Sequence, residues 1–236
     1  MLSFKSVFLI VALLSQVYCF QFSPRVIQNI LDDHNNLRSL VARNIYQART
    51  GPEGPATNMQ RMMWDSRIAE NAQRHANTLQ VIPPSGPHSG NDHHIGLAES
   101  VCGYPAYTDF SDESLLKFVE GCIKSFSDEL LKYGVIRYTN GQIAWTPTTS
   151  HALSMIQATR NRIGCGLGPA GPQIAYMVCQ YKQYGSPLTD VVYLRGPTCT
   201  QCPAGTHCEM NSGLCECDVP GQGFCAPDYS IYWQGP

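Results

Sequence analysis

The chain has 236 residues and a formal net charge of −2, and charged residues make up only 14% of it. No run of lysines or arginines occurs, which excludes the electrostatic footprint of a nucleic-acid binder. Eleven cysteines point to an oxidising compartment rather than the cytosol.

In chain order, MLSFKSVFLIVALLSQVYC comes first, with Lys5 followed by an apolar run from Val7 to Leu14. This layout reads as a secretory signal over residues 1–19, cut after Cys19, and the run is too short to span a bilayer. No other stretch approaches the ~20 apolar residues of a membrane span, so stable membrane insertion is not expected. Loss of Cys19 leaves ten cysteines, an even number that fits five disulfides.

Ser23 followed by Pro24 reads as an N-cap and a proline at the first helical position. Behind them Val26, Ile27, Ile30, Leu31, Leu37 and Leu40 recur at helical spacing. The Gly/Pro-rich stretch TGPEGPATN separates this helix from a second one, striped by Met63, Ile68, Ala72, Ala76 and Leu79. Residues 82–110 read as loop, including HSGNDHH with His88, His93 and His94. Ser111 caps a third helix, DESLLKFVEGCIKSFSDELLKY, and Gly134 stops it. A short fourth helix is expected around residues 149–159. Two strand-like runs follow, RIGCGLG and QIAYMVCQYK, joined through a Pro/Gly turn.

Composition changes at Gly196-Pro197. From Cys199 onward six cysteines accompany almost no aliphatic residues, and such a segment must be stapled because it cannot build a core. The chain therefore divides into a helix-and-sheet domain over 20–196 and a cysteine-rich module and tail over 197–236. Cys199-x-x-Cys202 has the spacing of half a zinc knuckle, but secretion favours disulfides. Six cysteines allow fifteen pairings, and the sequence does not choose among them.

The third helix carries one anomaly. Leu115, Phe118, Val119, Cys122, Phe126, Leu130 and Tyr133 share one apolar arc, and Glu129 falls inside it. A carboxylate there must be paired, protonated or ligating a metal. The plainest partner is an arginine or a backbone amide.

SHALSMIQATRNRIGCG, residues 150–166, resembles the signature of the CAP superfamily of cysteine-rich secretory, antigen 5 and pathogenesis-related proteins. The family pattern runs like GHYTQVVWAKTYKVGCG, with no gap needed. YMVCQYKQYGS (176–186) resembles its second signature, and HNNLRS (34–39) and MMWDSRIAENAQRHA (62–76) resemble its first two helices. The cysteine-rich end is similar to the hinge of venom-allergen-like, activation-associated secreted proteins of parasitic nematodes. The resemblance implies an α+β fold, an α/β/α sandwich around a central antiparallel sheet, with the small disulfide-rich module appended.

The same resemblance implies a cleft of two histidines and two glutamates that binds a divalent cation, often zinc, in some members. By position these are His88, Glu99, Glu129 and His151. His93 and His94 are then solvated loop residues. Three departures alter the cleft floor: Leu153 and Ser154 stand for Thr and Gln, and Gln157 for Trp. The implied function is that of a secreted binding protein, immunomodulatory and directed at host or other extracellular proteins, with sterols or fatty acids as further ligands. Tyr104, Tyr107 and Phe110 offer an aromatic edge for such a lipid. One alternative is a metal-dependent hydrolase using the same cleft, although no H-E-x-x-H or G-x-S-x-G occurs. Another is an inhibitor or receptor ligand acting through the C-terminal module. Antiparallel pairing of the two strand-like runs predicts a Cys165–Cys179 disulfide, which leaves Cys102–Cys122.

Overall fold

The structure, a computed structural model, describes residues 20–79, 97–105, 111–139, 141–169, 174–183, 191–219 and 225. The first helix, α1 (Pro24–Ala42), begins as its sequence dictates, with Ser23 Oγ accepting from the Val26 amide at 3.4 Å. The Ser23 hydroxyl also donates to Asp112 at 2.8 Å, which ties the start of α1 to the start of the long helix. A short hairpin of β1 (Tyr46–Ala48) and β2 (Gly51–Glu53) follows.

The second helix starts later than its apolar stripe suggests. Met63–Trp64 form a short strand, β3, and Asp65 caps α2 (Ser66–Ala76) by accepting from the Arg67 and Ile68 amides. The Asp65 amide meanwhile donates to the Ile163 carbonyl at 2.8 Å, so the backbone is held as sheet up to the cap. A second correction concerns the loop expected over 82–110, because Leu97–Pro105 is strand β4. Its backbone partners lie in a distant segment, from Leu97 opposite Lys182 to Pro105 opposite Ile174.

The remaining elements are α3 (Asp112–Tyr133), α4 (Ser150–Ile156), β5 (Arg160–Pro169) and β6 (Ile174–Gln183). The main sheet runs β3-β5-β6-β4, antiparallel except where β3 lies parallel to β5. Helix α2 covers one face of this sheet, and α1, α3 and α4 pack on the other. The result is the expected α+β sandwich. Glycines make the α2 layer possible. Gly164, Gly166 and Gly168 alternate along β5, and a Cβ on any of them would collide with the backbone of Ala69, Gln73 or Ala76.

Because β3 is only two residues long, most of the outer edge of β5 has no strand beside it among the described residues. Gln73 of α2 covers part of that edge. Its Oε1 accepts from the Leu167 amide at 3.0 Å and its Nε2 donates to the Leu167 carbonyl at 2.8 Å. The side-chain amide thus replaces one residue of a neighbouring strand, which protects an exposed sheet edge.

The helical side holds a fully buried cation, Arg38. Its guanidinium donates to the carbonyls of Gln60, Met155, Gln157 and Ala158 at 2.8–3.0 Å. Burial pulls its pKa down to about 9. Four carbonyl dipoles offset the charge, so one side chain joins α1 to the segment before β3 and to the end of α4.

All five disulfides are present: Cys102–Cys122, Cys165–Cys179, Cys199–Cys208, Cys202–Cys215 and Cys217–Cys225. The first two are those expected. The C-terminal hairpin, β7 (Thr206–Glu209) and β8 (Leu214–Cys217), is built against the sandwich. Cys215 exchanges backbone hydrogen bonds with Met59 and Arg61, Ser39 donates to the Ser212 carbonyl, and Leu214 is fully buried in the main core.

Candidate functional site

Glu129 has the partners its burial demands. On α3 its Oε1 lies 2.6 Å from His151 Nδ1, and its Oε2 accepts from the Ala152 amide at 3.0 Å. The carboxylate therefore grips the first turn of α4 through both a side chain and the backbone. Phe126, one turn earlier on α3, stacks on the His151 ring at 4.9 Å between centroids. The pair remains open to solvent, with side-chain exposures of 23% for His151 and 14% for Glu129.

The surrounding floor is made by Ser154, Arg160, Trp145 and Tyr181. Ser154 lies one turn beyond His151 and donates to the Ser150 carbonyl at 2.9 Å. Its oxygen accepts from Arg160 at 3.1 Å, and the Arg160 guanidinium lies 4.9 Å from the Trp145 ring centre. Burial pulls the Arg160 pKa down to about 10. Tyr181 is fully buried, and burial raises its hydroxyl pKa well above the usual value. It donates to His34 Nε2 across 3.1 Å, because His34 Nδ1, 2.7 Å from the Ile30 carbonyl, must carry the ring proton.

Glu99 lies elsewhere. Along β4, Ala98 packs with the core of the helical side and Val101 with the smaller cluster under α2. Alternation then sends Glu99 to the α2 face, where its Oε2 is 2.7 Å from His75 Nδ1 and accepts from Gln180 at 2.8 Å. The β4 residues that alternate toward the Glu129 side include Ala98, Ser100 and Cys102, none of them a carboxylate. Of the four residues expected in one cleft, the structure joins Glu129 to His151 and places Glu99 with His75 behind the strand. His88 lies outside the described residues, as do His93, His94, Tyr107 and Phe110.

His75 gave no sign of this role in the sequence beyond its position in the last turn of α2. Its pairing becomes visible only with the register of β4. Among the described residues, the one group of three potential ligands within a short span is Cys199, Cys202 and Cys215. All three are in disulfides and have no thiolate to offer.

A three-layer α/β/α sandwich with a histidine–glutamate pair between two helices and a stapled C-terminal hairpin defines a class of cysteine-rich secretory domain. The chain belongs to the CAP family, the cysteine-rich secretory protein family, whose profile matches residues 31–181. Among its relatives, the human "Peptidase inhibitor R3HDML" is 29% identical over 207 residues, covering 82% of this chain and 72% of that protein. "Cysteine-rich venom protein" of Conus textile is 31% identical over 195 residues, covering 80% and 54%. "Ancylostoma secreted protein" of Ancylostoma caninum is 28% identical over 195 residues, covering 78% and 42%. Among solved structures, NaASP2 with Zn2+ superposes with a TM-score of 0.67 at 25% identity, covering 82% of this chain and 96% of that one. BmVAL-1 shares the fold, with a TM-score of 0.68 at 23% identity, covering 86% and 98%. Secreted relatives and five disulfides agree on an extracellular protein, and no helix among the described residues is long and apolar enough to cross a membrane.

Proposed function

We propose that this is a non-enzymatic extracellular binding protein whose Glu129–His151 pair serves a weak divalent-cation site. The observation that carries the reading is the geometry of the pair. A carboxylate on Nδ1 fixes the ring and directs Nε2 outward as the ligating atom, the usual arrangement around a metal-bound histidine. A second oxygen fixed by the Ala152 amide keeps that carboxylate in place. His88 is the expected companion imidazole. Glu99, committed to His75 and Gln180, is left out of the ligand set. Zinc bound to the related NaASP2 supports the choice of metal. With two imidazoles and few other strong ligands, affinity should be low.

Titration of the mature protein with zinc tests this. Wild type should bind one ion, and His151→Ala and His88→Ala should each lower affinity by at least about tenfold. Equal affinity in wild type and His151→Ala would remove the pair from the site.

Partners are taken to be extracellular proteins, in keeping with relatives named for inhibiting a peptidase or platelets. A lipid ligand is a second reading, favoured by a groove of about 380 Å³. Phe20, Phe22, Ile27 and Trp64 line one side of it and α2 the other. Retention of a radiolabelled fatty acid or sterol, lost in Trp64→Ala, would support it, and retention no greater than that of a control protein would count against it.

A further inference from the structure

Arg160 is poorly matched by the protein around it. A guanidinium offers five N–H donors. Among the described residues only Ser154 Oγ accepts from this one, and no carboxylate comes within ion-pairing distance. The Trp145 ring lies against this guanidinium, with its centre 4.9 Å from the guanidinium carbon, which leaves N–H donors of the fork able to bind. Arg38 shows what complete satisfaction looks like in the same molecule, with four carbonyls around one guanidinium and no exposure. Arg160 is instead half-buried, as are Trp145 and His151, and its acceptor Ser154 lies one turn beyond His151 on α4.

The chain's own sequence built this arrangement. In the family pattern quoted above, Gln and Thr stand where this chain has Ser154 and Arg160. Ser154 supplies the one side-chain acceptor that Arg160 has among the described residues. A half-buried arginine braced by an aromatic ring, with open donors, fits a planar or tetrahedral oxyanion, which it can grip with two parallel hydrogen bonds.

We propose that Arg160, braced by Trp145 and Ser154, is the anchor of an oxyanion subsite beside His151 that takes the carboxylate or phosphate group of a small ligand. The subsite does not depend on a cation at His151, and its test uses no metal.

The mature protein, in metal-free buffer, is titrated with acetate, inorganic phosphate and decanoate while the Arg160 Nε–Hε signal is followed by NMR. At least one probe should shift that signal saturably. Arg160→Gln should abolish the binding, and Arg160→Lys should weaken it by about tenfold, because a point charge replaces the fork. Decanoate far tighter than acetate would identify the head group of an aliphatic chain, and equal affinities would identify a free small anion. No saturable shift with any probe would overturn the proposal. So would unchanged affinity in an Arg160→Gln protein that melts like wild type. If Arg160→Gln fails to fold, the wild-type Arg160 signal still decides, and Trp145→Phe should weaken binding while keeping the fork.

Discussion

Among the described residues there are two histidine–glutamate pairs of nearly equal length, 2.6 Å for His151–Glu129 and 2.7 Å for His75–Glu99. They occupy opposite sides of β4 and have opposite fates. Glu99 is 2% exposed and heads a chain of side-chain hydrogen bonds, accepting from Gln180, which accepts from Asn71, which accepts from Arg74. That pair fastens α2 to the sheet. Glu129 also fastens one element to another, α3 to α4, but its histidine keeps a face toward water. An acid–imidazole pair is therefore not a site in itself. It becomes one where a ligand can reach the ring.

The contrast breaks most visibly at Glu99. Glu99→Leu should cost about 4 kcal/mol, because His75 and Gln180 lose their shared acceptor inside the protein. Urea unfolding measures this, and a loss below about 1 kcal/mol would mean the pair is not structural. A third imidazole, His34, extends the comparison to complete burial. Burial lowers its pKa to about 4, and in the neutral form both ring nitrogens are satisfied. The unfolded chain protonates it near 6.5, so between pH 6.5 and 4 the unfolded state binds the extra proton. Stability should then be full above that window and fall by about 3 kcal/mol as the pH drops through it. Below about 4 the loss from this group ends. His34→Gln should flatten that part of the stability–pH curve.

Gln73 sharpens the contrast from the α2 side, where its side chain serves the sheet edge. Gln73→Ala leaves the amide and carbonyl of Leu167 without their partner on an open edge, at about 2 kcal/mol. The same change uncovers a strand edge, so size-exclusion chromatography should show self-association that wild type lacks.

The helical half of this architecture was legible in the sequence, and the sheet only partly so. Ser23, Ser111 and Gly134 act locally and mark the helix ends where they occur. Asp65 does not stand out as a cap, because Met63 and Ile68 fit one helical stripe across it, although Met63 belongs to a strand. Strand β4 has no local signature strong enough to announce it, and its hydrogen bonds come from β6, some eighty residues away. The site shows the same division. Glu129 declared itself because a carboxylate on an apolar helical face needs a reason. Glu99 could not be placed without knowing the parity of β4, since one residue of register moves a side chain to the other face. Tyr133 fell within the apolar arc yet is 44% exposed, because it lies in the last turn of α3, just before Gly134 turns the chain away.

The smallest effect on stability should come from Glu129→Gln, and it is the most informative about function. The glutamine can still accept from the Ala152 amide, so the junction of α3 and α4 is largely retained, with a cost of about 1 kcal/mol. It removes the negative charge that holds the His151 ring in place, so zinc affinity should fall by about tenfold while the melting curve moves little. Glu99→Gln in the same assay should leave zinc binding unchanged, because Glu99 serves His75 on the far side of β4. Equal losses in the two variants would mean that the two faces of the strand share one cation site after all. A loss confined to Glu129→Gln assigns one pair to binding and the other to structure.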